Sequence, residues 1–163
     1  MATAMERKID TSHTIELIRF RPPRIAWVLL LIGTGLHFWL RDRLEWHFSS
    51  NVGGVSLIAG GFAVMMWAWW LFRKGETAIR PTDAASVLVD RGPYRWTRNP
   101  MYLGMTAMLG GCAWMLGTVP ALVAPLGFFL AMNAVFVPFE ERRLSEIFGQ
   151  QFNAYRRCVR RWL

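Results

Sequence analysis

The stretch "MYLGMTAMLGGCAWMLGTVPALVAPLGFFLAMNAVFVPF", residues 101–139, contains no charged side chain. Its 39 residues far exceed the roughly 20 that one helix needs to cross a hydrocarbon core of about 30 Å. Near its middle, "GTVP" at Gly117–Pro120 supplies the glycine and proline that punctuate a turn. The stretch therefore predicts two helices, about Met101–Leu116 and Val119–Phe139, folded back on each other as a tight hairpin in a membrane.

Two more apolar blocks precede it. "IAWVLLLIGTGLHFWL", Ile25–Leu40, is bounded by Arg24 and Arg41. As a helix it rises about 24 Å, and the flanking arginines can snorkel to make up the difference. Val52–Phe72 is long enough to span and closes with Trp67, Trp69 and Trp70 before Arg73 and Lys74, the composition of an interfacial aromatic belt. Four spans result. The segments before span 1, between spans 2 and 3, and after span 4 carry 5, 6 and 6 Lys/Arg, whereas the 1–2 loop carries Arg41 and Arg43 alone and the 3–4 turn none. Four spans put all three basic segments on one face, so both termini are expected in the cytoplasm. The fold class is thus an all-α integral membrane protein, one domain over residues 1–163, with four transmembrane helices, a cytoplasmic lid segment and a C-terminal amphipathic helix. Gly33, Gly35, Gly53, Gly54, Ser56, Gly60, Gly61, Gly104, Gly110 and Gly111 suit close helix contact in lipid.

Composition agrees. More than half of the 163 residues are hydrophobic and nine are tryptophan. The net charge of +8 is explained by topology and anionic membrane lipid, and nucleic acid is not needed as a partner. Cys112 and Cys158 have no partner at metal or redox spacing and are expected as free thiols. His13, His37 and His47 show no ligand spacing, so no metal is expected. His37 and Asn133, polar groups inside spans, suit hydrogen bonds between helices. The first 24 residues are polar and read as mature sequence rather than a signal peptide, and the final "RRWL" is no prenylation box.

Two polar segments fall on the cytoplasmic face. Arg73–Pro100 is 28 residues long, and its "SVLVDRGPYRW" is too apolar and aromatic for disorder, so it reads as a lid packed back on the bundle. In the tail, Leu144, Ile147, Phe148, Phe152, Tyr155 and Val159 recur at helical spacing, with arginines on the other faces.

Chemistry concentrates where the hairpin meets that face. In "TRNPMYLG", Asn99 suits the N-cap and Pro100 the first helical position of span 3. A helix start favours a carboxylate or phosphate, and Arg98 beside it can fork onto a carboxylate. Tyr94 and Tyr102 add hydroxyls, and Gly104 removes bulk one turn in. The same residues also suit simple anchoring among lipid headgroups. At the end of span 4, Glu140 and Glu141 work against the helix dipole and are costly near hydrocarbon, so each needs compensation. Adjacent helix positions point about 100° apart, which lets one face the bundle while the other pairs with Arg142 or Arg143. The hairpin brings Arg98, Asn99, Tyr102, Glu140 and Glu141 together. A pocket with arginine for a carboxylate and glutamates for an ammonium or ribose suits a zwitterionic amino-acid nucleotide.

"GPYRWTRNPMYLG" (92–104), the pair in "FEERRL" and the downstream "FGQQFNAYRRCVRR" resemble the isoprenylcysteine carboxyl methyltransferase and phospholipid methyltransferase families of small integral membrane enzymes. Their pattern is similar to G-P-Y-x-x-x-R-H/N-P-x-Y-x-G, then E-E-x-x-L, then F-G-x-x-Y-x-x-Y, and covers roughly residues 75–160. The resemblance implies an S-adenosyl-L-methionine cofactor, with S-adenosyl-L-homocysteine as product. It further implies that Tyr94, Arg98, Asn99, Pro100, Tyr102 and Gly104 line the cofactor site, and that Glu140 and Glu141 bind its polar groups or orient the acceptor. Arg98, Glu140 and Glu141 would be the catalytic residues. Asn99 replaces the commoner histidine, Phe152 takes the first tyrosine position of the tail motif, and "VRRWL" lacks the prolines often found there.

The expected partners are the cofactor, membrane lipids and a lipidic acceptor, either an isoprenylcysteine-type carboxylate or an aminophospholipid-type amine. A carboxylate acceptor is already ionised, whereas an amine must first lose a proton, which a glutamate can assist. Two other readings remain. Membrane sterol and enone reductases that bind a nicotinamide nucleotide end in a related polar motif but are usually longer. A non-enzymatic four-span transporter would need an acidic residue buried mid-span, and the spans hold none.

Overall fold

The structure, a computed structural model, describes residues 22–40, 42–43, 51–74 and 88–163. Every element there is helical, and no strand forms among the described residues. Most of the expected lid, residues 75–87, lies outside the described residues, as does the polar segment before Pro22.

Helix α1 spans Pro22–Leu40 and α2 spans Asn51–Lys74. Helix α3 runs from Pro100 to Leu116 and ends where Gly117 takes a left-handed conformation, φ 66°. This is the turn predicted from "GTVP": glycine adopts positive φ without the Cβ penalty that other residues meet. A 310 turn, Val119–Leu122, then leads through α4 (Val123–Ala131), a π turn (Met132–Phe136) and α5 (Val137–Phe148) as one helical run. Helix α6, Gln150–Cys158, follows Gly149, whose φ is 50°.

Two boundaries differ from the expectation. The fourth apolar segment stops at Phe139 in charge but not in backbone, since the helix continues through Glu140 and Glu141 to Phe148. A helix satisfies its own backbone hydrogen bonds, so leaving the apolar zone gives it no reason to stop. The tail is consequently not one amphipathic helix. Its first half continues the run from Val119, and its second half is the separate α6, broken off at Gly149.

Three helices, Pro22–Leu40, Asn51–Lys74 and Val119–Phe148, are long and apolar enough to cross a membrane, and the protein is an integral membrane protein on that pattern. Helix α3, with 17 residues, falls just below that length. Trp27, Leu31, Trp39, Val52, Leu126 and Leu130 point outward and exposed, as lipid-facing side chains do. The core is built from Leu109 of α3, Ala124 and Phe128 of α4, and Met132 and Phe136 of the π turn, with Ile25, Leu29 and Leu30 of α1 against it.

Helices α2 and α3 meet through glycine. A Cβ on Gly61 would lie 2.5 Å from the Gly104 carbonyl oxygen, and one on Gly104 would lie 2.5 Å from that of Gly61. Two turns along, Gly54 and Gly111 repeat the approach. At the far end of the bundle, His37 Nδ1 and Thr118 Oγ1 are 3.0 Å apart and tie α1 to the hairpin turn, so His37 links a helix to a turn rather than one helix to another. The end of α2, the start of α3 and the end of the long helix therefore gather at the opposite end, beside α6.

Candidate active site

At that end the chain approaches α3 through a 310 turn, Gly92–Arg95, entered at Gly92 with φ 59°. The turn buries Pro93 and Tyr94. The Tyr94 ring sits 5.8 Å from Phe72 of α2, and Trp96 meets Trp67 edge-on at 6.0 Å. Tyr155 of α6 donates its hydroxyl hydrogen to the Tyr94 carbonyl at 2.8 Å, which ties the tail helix to this turn. The Tyr94 hydroxyl itself is buried with no hydrogen-bond partner among the described residues. Burial, reinforced by Tyr155 and Glu140 nearby, pushes its pKa up, so it stays a neutral O–H donor.

Thr97–Asn99 runs alongside residues 160–161, which follow α6. Thr97 and Arg160 form a parallel bridge. The Arg98 amide donates to the Arg160 carbonyl at 3.0 Å, and Thr97 Oγ1 and Asn99 Nδ2 both donate to the Arg161 carbonyl at 3.0 Å. Asn99 does occupy the N-cap position of α3, and Pro100 the first helical one. Its side chain makes no capping bond, however, because the amide is drawn to Arg161. This is a correction to the capping role expected of it.

The two adjacent glutamates divide as helical geometry requires. Glu140 accepts a hydrogen bond from the Tyr102 hydroxyl at 2.6 Å. Glu141, buried, faces the other way. Arg161 forks onto it, Nε to Oε1 at 3.2 Å and Nη2 to Oε2 at 2.7 Å, while Arg98 Nη1 approaches Oε1 at 3.1 Å. The cations compensating Glu141 are thus not its neighbours Arg142 and Arg143 but residues far away in sequence. Arg98 is only 12% exposed in its side chain. Its Nε has no partner among the described residues, and its Nη1 contact lacks the alignment of a hydrogen bond. Burial pulls its pKa down and Glu141 opposes that shift. Tyr155 is pushed up by its own burial and held back by the nearby Arg98 charge.

Of the residues predicted from sequence, the structure brings together Tyr94, Arg98, Asn99, Pro100, Tyr102, Glu140 and Glu141. It places Gly104 elsewhere, facing Gly61 and Met65 on α2. Arg161, Thr97 and Trp162 were not foreseen. Trp162 Nε1 donates to Asn133 Oδ1 at 2.9 Å, and its ring lies 4.7 Å from Phe129, so Asn133 joins the π turn to the segment after α6 rather than one transmembrane helix to another. Nothing distinguishes Arg161 from Arg156, Arg157 and Arg160 in the sequence; only the tryptophan placed directly after a basic cluster hints that this segment packs back on the bundle.

Tyr102 carries a prediction of its own. Tyr102→Phe leaves Glu140 without its hydroxyl donor, and a hydrogen bond to a carboxylate is worth about 1.5–3 kcal/mol. A loss of stability of that order is expected in thermal unfolding of the purified protein, and an unchanged midpoint would show the contact to be idle.

A family model of phospholipid methyltransferases matches residues 49–151, which takes in α2, the 310 turn, α3 and both glutamates. A protein-S-isoprenylcysteine O-methyltransferase of Tribolium castaneum is 29% identical over 143 residues, covering 82% of this chain and 47% of that protein. The chain thus spans about half the length of the curated relative it matches. No solved structure matches the chain. With the Arg98–Glu141 and Tyr102–Glu140 contacts inside the matched residues, this chain belongs to the phospholipid methyltransferase family.

Proposed function

We propose that the protein transfers a methyl group from S-adenosyl-L-methionine to a lipidic or small hydrophobic acceptor at the cytoplasmic face of the membrane. The observation that carries this reading is the pair of buried donors without a hydrogen-bond partner among the described residues, Tyr94 hydroxyl and Arg98 Nε, beside two glutamates at one end of the bundle. Buried polar groups are normally hydrogen-bonded, so donors held this way fit a ligand with acceptor oxygens. A zwitterionic amino-acid nucleotide fits the set: carboxylate to Arg98, polar groups to Tyr94 and Glu140, with Glu141 taken up by Arg161. When bound, that cofactor supplies an electrophilic methyl carbon on a sulfonium sulfur.

The chain's own residues then bind, orient and exclude water. Arg98 fixes the carboxylate end, which sets where the reactive end sits. Phe72 of α2 packs on Tyr94 and Trp67 of α2 on Trp96, which makes the α2 side of the site apolar. Glu140, held at Oε1 by Tyr102, is oriented to take a proton from an amine acceptor; a carboxylate acceptor would need no such step. The acceptor would enter sideways from lipid with its polar end at the interface.

For topology we take α3 as a fourth crossing, antiparallel to the long helix. Every basic segment then falls at the site end. Arg73 over Trp69 at 5.0 Å and Lys74 over Trp70 at 3.9 Å support an interface at that end. Titration of the purified protein with S-adenosylhomocysteine, S-adenosylmethionine and NADPH tests the reading. Binding of both sulfur compounds is expected. Binding of NADPH alone would replace this function with a nicotinamide-dependent one.

A further inference from the structure

We infer that Arg161 is a positioning residue for Arg98: by occupying Glu141 with its own fork, it keeps Arg98 available for an anionic ligand. The inference rests on the cofactor reading above and deepens it. It lies outside the residues matched by the family model, which end at 151.

The geometry at Glu141 is a competition between two guanidinium groups for one carboxylate. A carboxylate offers two oxygens, and a guanidinium prefers to take both in a planar fork. Arg161 does so, with Nε on Oε1 and Nη2 on Oε2. Arg98 reaches only Oε1, at 3.1 Å and out of line, and its buried Nε and Nη1 make no hydrogen bond among the described residues. Without Arg161, nothing would hold Arg98 off a two-point pair with Glu141. That pair would consume the donors a ligand carboxylate needs.

The rest of the segment explains why Arg161 can hold this place. Its backbone carbonyl accepts from Thr97 and Asn99, and the carbonyl before it accepts from the Arg98 amide. On the other side, Trp162 is anchored by Asn133 in the π turn and by the Phe129 ring. A π turn widens a helix by one residue, a distortion frequent at functional sites; here it carries the acceptor for Trp162. The segment is fixed by backbone and indole contacts, so the Arg161 side chain can be changed while those anchors stay.

The test compares two probes on the purified full chain. S-adenosylhomocysteine carries the amino-acid carboxylate, and 5′-methylthioadenosine lacks the amino-acid portion. Arg161→Gln is expected to weaken S-adenosylhomocysteine by about tenfold, the equivalent of losing one charge-assisted contact, and 5′-methylthioadenosine by no more than about twofold. Arg161→Lys, which keeps the charge but not the fork, should fall between. Adding Glu141→Gln to Arg161→Gln removes the competitor for Arg98 and should restore most of the lost S-adenosylhomocysteine affinity. A purely structural role for Arg161 would weaken and rescue both probes alike, whereas the inference confines loss and rescue to S-adenosylhomocysteine. Equal weakening of both probes, or a double variant no better than Arg161→Gln alone, would overturn the inference while leaving the cofactor reading intact. Failure of the wild-type chain to bind either probe would overturn both.

Discussion

Arg98→Ala is expected to weaken S-adenosylhomocysteine by about 100-fold or more and to abolish methyl transfer, with far less effect on folding. Two charge-assisted hydrogen bonds to a carboxylate are worth about 1.5–3 kcal/mol each, and 2.7 kcal/mol is already about 100-fold in affinity. The stability side is unusual. Removing one partner of a buried ion pair normally costs about 3–5 kcal/mol, because it strands the other charge. Glu141 would not be stranded, since both its oxygens remain on Arg161. A loss of only about 1–2 kcal/mol is expected for Arg98→Ala in thermal unfolding, mostly from the cavity and lost stem packing. Arg98→Lys restores charge without the fork and should recover only part of the affinity. A titration showing Arg98→Ala within a few-fold of wild type would remove Arg98 from the ligand site. Unfolding on a par with a stranded charge would mean that Arg98, not Arg161, is the principal partner of Glu141.

The asymmetry between these two arginines marks where sequence reasoning reached its limit. Arg98 is legible because it stands in a short motif with Asn99, Pro100 and Tyr102, whose residue types define a helix start with a cation beside it. The hairpin is legible too, because an uncharged run too long for one span has a single glycine-proline turn near its centre. Those two inferences together put the start of α3 beside Glu140 and Glu141, where the structure has them. Arg161 depends instead on a return of the chain after α6, whose register is set by carbonyls pairing with Thr97, Arg98 and Asn99. Backbone pairing between segments some 60 residues apart leaves no local periodicity to read. Asn99 was misjudged for the same reason: its preference for an N-cap is real, but a nearby carbonyl from residues distant in sequence won its amide.

Gly104 draws two readings from the sequence, close helix contact and room for a ligand, and its surroundings in the structure are those of the first. Its place one turn inside "NPMYLG" made it look like room for a ligand. The α2–α3 seam gives it another task, and the expected effect of filling that seam is large. Gly61→Ala and Gly104→Ala each place a methyl 2.5 Å from a backbone oxygen of the facing helix, with Ala107 or Met65 Cβ at 3.0 Å behind it. Backbone cannot rotate out of the way as a side chain can, so the helices must part. Overpacking of this kind costs about 1–3 kcal/mol, and in lipid close packing is a main source of helix association. The neighbouring glycines supply the control. A Cβ on Gly60 meets nothing within 4 Å, and one on Gly110 meets only the Leu57 side chain at 3.5 Å. Gly60→Ala should therefore be neutral or stabilising, since alanine exceeds glycine in helix propensity by about 1 kcal/mol. Thermal unfolding of Gly60→Ala beside Gly61→Ala, and of Gly110→Ala beside Gly104→Ala, checks the seam. Matched midpoints within each pair would mean the helices do not meet at these glycines. Divergent midpoints should come with weaker S-adenosylhomocysteine binding in Gly104→Ala. Helix α3 begins two residues after Arg98, and a helix pushed off α2 takes that guanidinium with it.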